Sequence, residues 1–249
     1  MSRDNKTALI TGSGQNIGRG IANQLALAGF NIIVNGSRNQ DAAEEAAAEV
    51  RTRGVEALVA MGNVGIKTEA EAVAKAGLDH FGRIDVLVNN AAIRPHEPFL
   101  EMSNDAWQKV IDVDMNAAIW LSKAVLPSMI ENGWGRIISF SGMNAQRGYL
   151  GAAAVSVAKH GVWGLTKALA VEFGSKGITA NIISPGTFPP DNFNSENNAN
   201  FSALLKANPS GRLGRAEDIG AMVAYLCSEN SGFVNGQMLQ INGGVVMQF

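Results

Sequence analysis

Apolar residues along the chain fall into two alternating rhythms. Short apolar runs at Thr7–Ile10, Phe30–Val34, Val55–Ala60, Ile84–Val88, Arg136–Phe140 and Ala180–Ile183 predict strands. They are mostly continuous rather than alternating, as strands covered on both faces can be. Between them, stretches at Ile21–Ala28, Asp41–Arg53, Glu69–Phe81, Asp105–Glu131 and Ala153–Glu172 carry the spacing of helices. Such alternation implies a parallel sheet, because each parallel connection must cross back over a face. The expected fold is α/β: a single doubly wound domain over residues 1–249, with helices on both faces of a parallel sheet.

One stretch breaks the rhythm. Residues 187–208 hold Pro189, Pro190 and a cluster of asparagines, and their helical periodicity is weak. A long connection inside a compact domain is expected to be a substrate loop or lid, the alternative being a floppy insertion.

Composition narrows the function classes. Hydrophobic residues make up 46% and charged residues 17%, so a large core can form and disorder is not expected. The net charge of −2, with lysines and arginines scattered, argues against nucleic-acid and membrane-surface partners. Cys227 is the only cysteine, which fits a reducing compartment. The polar Met-Ser-Arg-Asp-Asn-Lys start and the lack of a bilayer-length apolar run lead us to expect a cytoplasmic location. His80 and His96 have no ligand-like companions, so no metal is expected.

Gly12, Gly14, Gly18 and Gly20 stand between the first strand and the first helix. Glycine there lets the chain turn sharply and brings backbone N–H groups close to a pyrophosphate, with the helix N-terminus adding its positive end. This is the phosphate cradle of a Rossmann-type dinucleotide site. After the second strand comes Asn35-Gly36-Ser37-Arg38-Asn39, without the carboxylate that would hold a ribose 2′-hydroxyl. Arg38 and Ser37 suit a 2′-phosphate instead, so NADP(H) is the expected cofactor and NAD(H) the alternative. Gln15 stands where a second basic residue would have strengthened that preference.

These motifs, with Asn89-Asn90-Ala91, Pro185-Gly186, Arg212-Leu-Gly-Arg-Ala-Glu-Asp-Ile219 and the Gly236-to-Gly244 segment, resemble the short-chain dehydrogenase/reductase family. The resemblance covers nearly the whole chain and points to the β-ketoacyl-carrier-protein reductase and glucose dehydrogenase-like branch. It implies an oxidoreductase acting on a small molecule, and a homotetramer or dimer joined partly through residues 236–249. In the glycine loop it assigns cofactor contacts to Gly12, Gly14, Gln15, Asn16, Ile17 and Gly18. Further contacts fall to Asn63, Val64, Asn90, Lys159, Pro185 and Gly186. Asn16 replaces the family's middle glycine, and asparagine tolerates the positive φ the turn needs.

The catalytic positions depart from the family pattern. The family uses an Asn–Ser–Tyr–Lys set, and only its lysine is present, as Lys159. The tyrosine position is Val155, the serine position Gly142 with Ser141 beside it, and the asparagine position Asp114. Asn63 replaces the aspartate that meets adenine. Asp114 and Lys159 are expected to face one cavity, either as an acid–base couple or as a structural ion pair. Tyr149 is a candidate displaced acid, or a loop aromatic that only shapes the pocket. Tyr225 reads as core, His160 as a surface or packing residue, and Ser141, at a strand end, as pointing away. Three functions remain open: an NADP(H)-dependent oxidoreductase with a non-standard site reducing a carbonyl or imine, a non-redox lyase using Asp114 and Lys159, and a catalytically silent cofactor-binding subunit.

Overall fold

The computed structural model describes residues 5–191, 193 and 201–247. Seven parallel strands form one sheet in the order β3-β2-β1-β4-β5-β6-β7. They are β1 Thr7–Ile10, β2 Asn31–Gly36, β3 Ala57–Met61, β4 Val86–Asn89, β5 Gly135–Phe140, β6 Ile178–Pro185 and β7 Met238–Ile241. The order reverses between β1 and β4, which opens a crevice at the carboxyl ends of those strands. The doubly wound α/β expectation holds.

Side chains leave each strand in alternation, and this divides the core in two. Ala8 and Ile10 of β1, with Ile32 and Val34 of β2, pack under α1 (Asn16–Leu27), α2 (Gln40–Arg51) and α9 (Ala216–Leu226). Leu9 and Ile33 point the other way, toward α3 (Lys67–Phe81), α5 (Ala117–Glu131) and α7 (Ala153–Phe173). Truncating a fully buried residue such as Leu9 to alanine would remove about 2–5 kcal/mol of stability.

The structure departs from the expected elements in several places. The helix expected over Asp105–Glu131 divides into α4 (Asn104–Ile111), a π-helical segment at Asp112–Asn116, and α5. A π turn adds one residue to the backbone ring and re-aims the side chains there. Asp114 is the buried residue of that segment. α1 starts at Asn16, earlier than the apolar spacing indicates, because Gly18 and Gly20 carry no periodic signal. β7 was not expected; its four residues are all only partly buried. A short helix α6 covers Met143–Arg147, and α8 covers Phe201–Lys206 within the 187–208 stretch. Part of that expected lid, residue 192 and residues 194–200, lies outside the described residues. Tyr225 is 45% exposed rather than core, because α9 buries the face of Ile219, Gly220, Val223 and Leu226.

Candidate functional site

The glycine loop at the carboxyl end of β1 is held by a short network. The Asn90 side-chain amide donates to the carbonyls of Thr11 (2.9 Å) and Gly12 (3.1 Å). The backbone N–H groups of Asn90 and Ala91 donate to Thr11 Oγ1. These bonds tie the loop to the end of β4 and satisfy backbone groups that the turn leaves unpaired. Gly18 has no room for a side chain: a Cβ would lie 2.3 Å from the Gly12 carbonyl oxygen and 2.7 Å from Asn90 Nδ2. Gly14 is similarly close, at 3.2 Å, to the Ala43 backbone of α2. Asn16 takes φ of 53°, the left-handed region, as the substitution for glycine requires.

The start of α1 has a partner from far along the chain. Gln15, at the cap position, makes no side-chain cap. The Asn16 N–H instead donates to Asp191 Oδ2 at 2.7 Å, and the Asp191 N–H donates back to Asn16 Oδ1 at 2.9 Å. The strap that begins at Pro185 therefore closes onto the glycine loop, bringing a carboxylate to the positive end of a helix.

Two adjoining spaces open over the crevice. A cleft of about 850 Å³ is bordered by Gly12, Ser37, Arg38, Asn63 and Val64. Asn63 also shapes its own turn: its N–H donates to Glu69 (2.7 Å) and its side-chain oxygen accepts from the Gly65 N–H (3.1 Å). A cavity of about 330 Å³ is lined by Ile17, Lys159, Tyr149, Val155, Pro185 and Gly186, among others. Arg94 and Pro95 border both spaces. Of the residues expected at a cofactor site, the structure thus gathers Gly12, Ser37, Arg38, Asn63 and Val64 around the cleft, with Asn90 bonded to Gly12 behind it. Lys159, Ile17, Pro185 and Gly186 gather around the cavity. Gln15 is exposed at the α1 cap and borders neither space.

Lys159 and Asp114 meet as a buried ion pair. Their side chains are 4% and 0% exposed, and Nζ lies 3.1 Å from Oδ2. The contact is chiefly one of charge, since Oδ2 accepts no well-aligned hydrogen bond. Oδ1 accepts from the Ile93 N–H at 2.8 Å, which ties the carboxylate to the turn after β4. Burial pushes the Lys159 ammonium below the usual lysine range; Asp114 pulls it back up, and Arg94 presses it down further.

The expectation that both residues face one cavity needs correction. Lys159 lines the 330 Å³ cavity, whereas Asp114 lies behind it on a void of about 10 Å³, which Asn89 also lines. The π segment turns Asp114 into the protein rather than toward the opening. Among the described residues Asn89 Oδ1 accepts no hydrogen bond, and Asp114 Oδ2 has only the Lys159 ammonium beside it.

Val155 and Gly142, expected at the family's tyrosine and serine positions, both line the cavity, and so does Ser141, which was expected to point away. Tyr149 is half exposed at the wall, in edge contact with His96 at 5.6 Å between ring centres. His160 is exposed and turned to the Ser156 carbonyl, as its place on α7 implied. Arg94 and Asp191 were not singled out from the sequence, and Asn89 only as part of the Asn89-Asn90-Ala91 motif. Arg94 and Asn89 had a signal: they sit at or just after the carboxyl end of β4, where open α/β sheets bind ligands. Among the described residues no cluster of side chains could hold a metal, and no helix is long and apolar enough to cross a membrane.

The family model described as Enoyl-(Acyl carrier protein) reductase matches residues 12–246. The chain belongs to the short-chain dehydrogenase/reductase family, an oxidoreductase family, in its 3-oxoacyl-carrier-protein reductase branch. It is 36% identical over 243 residues to the 3-oxoacyl-[acyl-carrier-protein] reductase FabG of Staphylococcus epidermidis, covering 98% of this chain and 100% of that protein. Nodulation protein G of Azospirillum brasilense is 38% identical over 244 residues, covering 98% and 99%. A solved structure from Sinorhizobium meliloti, assigned to the short-chain alcohol dehydrogenases, superposes with a TM-score of 0.90 at 27% identity, covering 96% of each chain.

Proposed function

We propose that this family member is an NADP(H)-dependent oxidoreductase that delivers hydride to a carbonyl or imine carbon without the family's serine and tyrosine. The observation that carries the reading is the junction of the two spaces: a cleft bordered by the glycine loop runs, past Arg94 and Pro95, into the cavity that holds Lys159. The 3-oxoacyl-carrier-protein reductases that the chain resembles support the reaction class.

The residues present fit a dinucleotide. At Gly18 a side chain would meet the loop's own backbone, so glycine keeps the turn tight, and α1 aims its N-terminus toward the place a pyrophosphate would take. Ser37 and Arg38 border the cleft where a 2′-phosphate would lie, which favours NADP(H) over NAD(H). Bound there, the cofactor would supply the hydride. Lys159 would hold a ribose hydroxyl, while Pro185 and Gly186 would close the wall beside the nicotinamide. The proton has three sources open to it: the Lys159 ammonium, the Tyr149 hydroxyl across the cavity, or a substrate that arrives protonated, as an iminium does.

A second reading, non-redox proton transfer, is favoured by the lowered Lys159 proton affinity. Asp114 opposes it as a reacting group, because it does not line the cavity. We further propose self-association into a dimer or tetramer; exposed Val157 and Val171 on one side of α7, together with exposed Phe233, support it.

The test follows NADPH absorbance with a panel of ketones and cyclic imines, in the wild type and Lys159→Ala. Substrate-dependent oxidation that Lys159→Ala abolishes is expected. Oxidation with none of the panel, alongside cofactor-free turnover of a β-hydroxy ketone, would overturn the proposal in favour of lyase chemistry. Binding without any turnover would leave a silent subunit.

A further inference from the structure

Arg94 occupies the seam between cleft and cavity, directly after Ile93, whose N–H is fixed by Asp114. Pro95 follows it and restricts the backbone on both sides of the bond. The arginine thus stands on a positioned turn at the end of β4.

The charge balance of the cavity is one-sided. Its described lining includes Arg94 and Lys159 but no aspartate or glutamate. Lys159 has its counter-charge in Asp114, 3.1 Å away and outside the cavity. Arg94 has no carboxylate within 4.0 Å among the described residues. A guanidinium offers a planar fork of donors that matches a carboxylate, and beside a concave, mostly apolar space it draws anions. The rest of the wall is largely apolar, with Ile17, Met143, Val155, Pro185 and Phe188 facing the space.

We infer that the cavity takes an organic acid, its anionic group held by Arg94 and its apolar body lying against Val155, Met143 and Phe188. The inference rests on the reading of this cavity as the substrate site. It also narrows that reading. A simple iminium would bring a positive charge to a wall that already holds two cations, whereas an oxo or imino acid brings its own counter-charge. The effect of Arg94 on Lys159, whose proton affinity it lowers, is in keeping with a guanidinium whose field reaches the reacting end of the cavity.

The test reads binding rather than turnover. Phenylacetate, methyl phenylacetate and phenethylammonium are titrated calorimetrically into the protein, with and without NADPH. In the wild type the acid is expected to bind about tenfold tighter than its ester, the scale of one hydrogen bond to a charged group. The cation should bind weakest, and the preference for the acid should shrink as salt rises. Arg94→Gln, at an exposed position, should erase the preference. Equal binding of acid and ester, no measurable binding of the acid, or a preference that survives Arg94→Gln would each overturn the inference. So would a loss in Arg94→Gln of NADPH affinity alone, which would assign the arginine to the cofactor. Because no step depends on hydride transfer, a protein that reduces nothing can still show the acid preference. One that binds acid and ester alike yet reduces neutral ketones fails this test while the proposed function stands.

Discussion

Lys159 on α7 and Asp114 in the π-helical segment form an ion pair at 3.1 Å with almost no exposure of either side chain. The pair joins α7 to the turn that feeds the crevice, since Asp114 also accepts from the Ile93 N–H. Removing one partner leaves the other charge buried alone. Asp114→Asn is expected to cost about 3–5 kcal/mol of stability, and Asp114→Asn with Lys159→Met to recover part of it. Urea unfolding of these two variants and of Lys159→Met checks this; single losses that add up to the double variant's loss would mean that the pair contributes no coupling.

The same pair gives a pH dependence whose sign is fixed. Lys159 has a lowered proton affinity when folded, so between its folded value and the unfolded value of about 10.4 the unfolded chain binds more protons. Its contribution to stability therefore rises as pH rises through that interval. Unfolding midpoints of the wild type, measured relative to Lys159→Met, should climb toward alkaline pH. A difference that is flat or falls with pH would contradict the assignment.

Gly142 is free to regain a side chain. A Cβ there meets nothing within 4 Å, and its backbone is extended, so Gly142→Ser should change stability little. Gly142→Ser with Val155→Tyr should introduce weak reduction of small neutral ketones by NADPH, because Val155 faces the same cavity. If the double variant folds and binds NADPH yet oxidises none with any ketone, the backbone around Lys159 differs from that of a working reductase.

The Asn16–Asp191 contact sets a carboxylate where a pyrophosphate oxygen would otherwise approach the α1 terminus. Asp191→Asn keeps the side chain's shape and removes the charge. It is expected to tighten NADPH binding by several fold, on the scale of about 1 kcal/mol for a charge at a helix end. Weaker binding would show instead that Asp191 steadies the cofactor-binding form of the strap.

Much of this molecule is legible in its sequence, and what is not has identifiable causes. The strands declare themselves because burial on both faces makes them nearly unbroken apolar runs, as in Ala8–Ile10 and Ile32–Val34. The glycine loop declares itself by spacing, and Lys159 through the resemblance to the family's motif. The π turn at Asp112–Asn116 does not, since the apolar rhythm runs through it from α4 into α5. Nor does the Asn16–Asp191 contact, which joins positions 175 apart. Arg94 gives no periodic signal; only its place after a central parallel strand marks it. β7 is short and part-exposed, without the apolar continuity that revealed the other strands.

The central claim is that the glycine loop, Ser37 and Arg38 form a working NADP(H) site beside Lys159. It is tested most directly by fluorescence titration of the purified protein with NADPH and NADH, in the wild type and in Arg38→Ala. The account predicts that NADPH binds about tenfold tighter than NADH, as one charge-assisted contact would give, and that Arg38→Ala removes the difference. Equal affinity for the two in the wild type, or binding of neither, would contradict it.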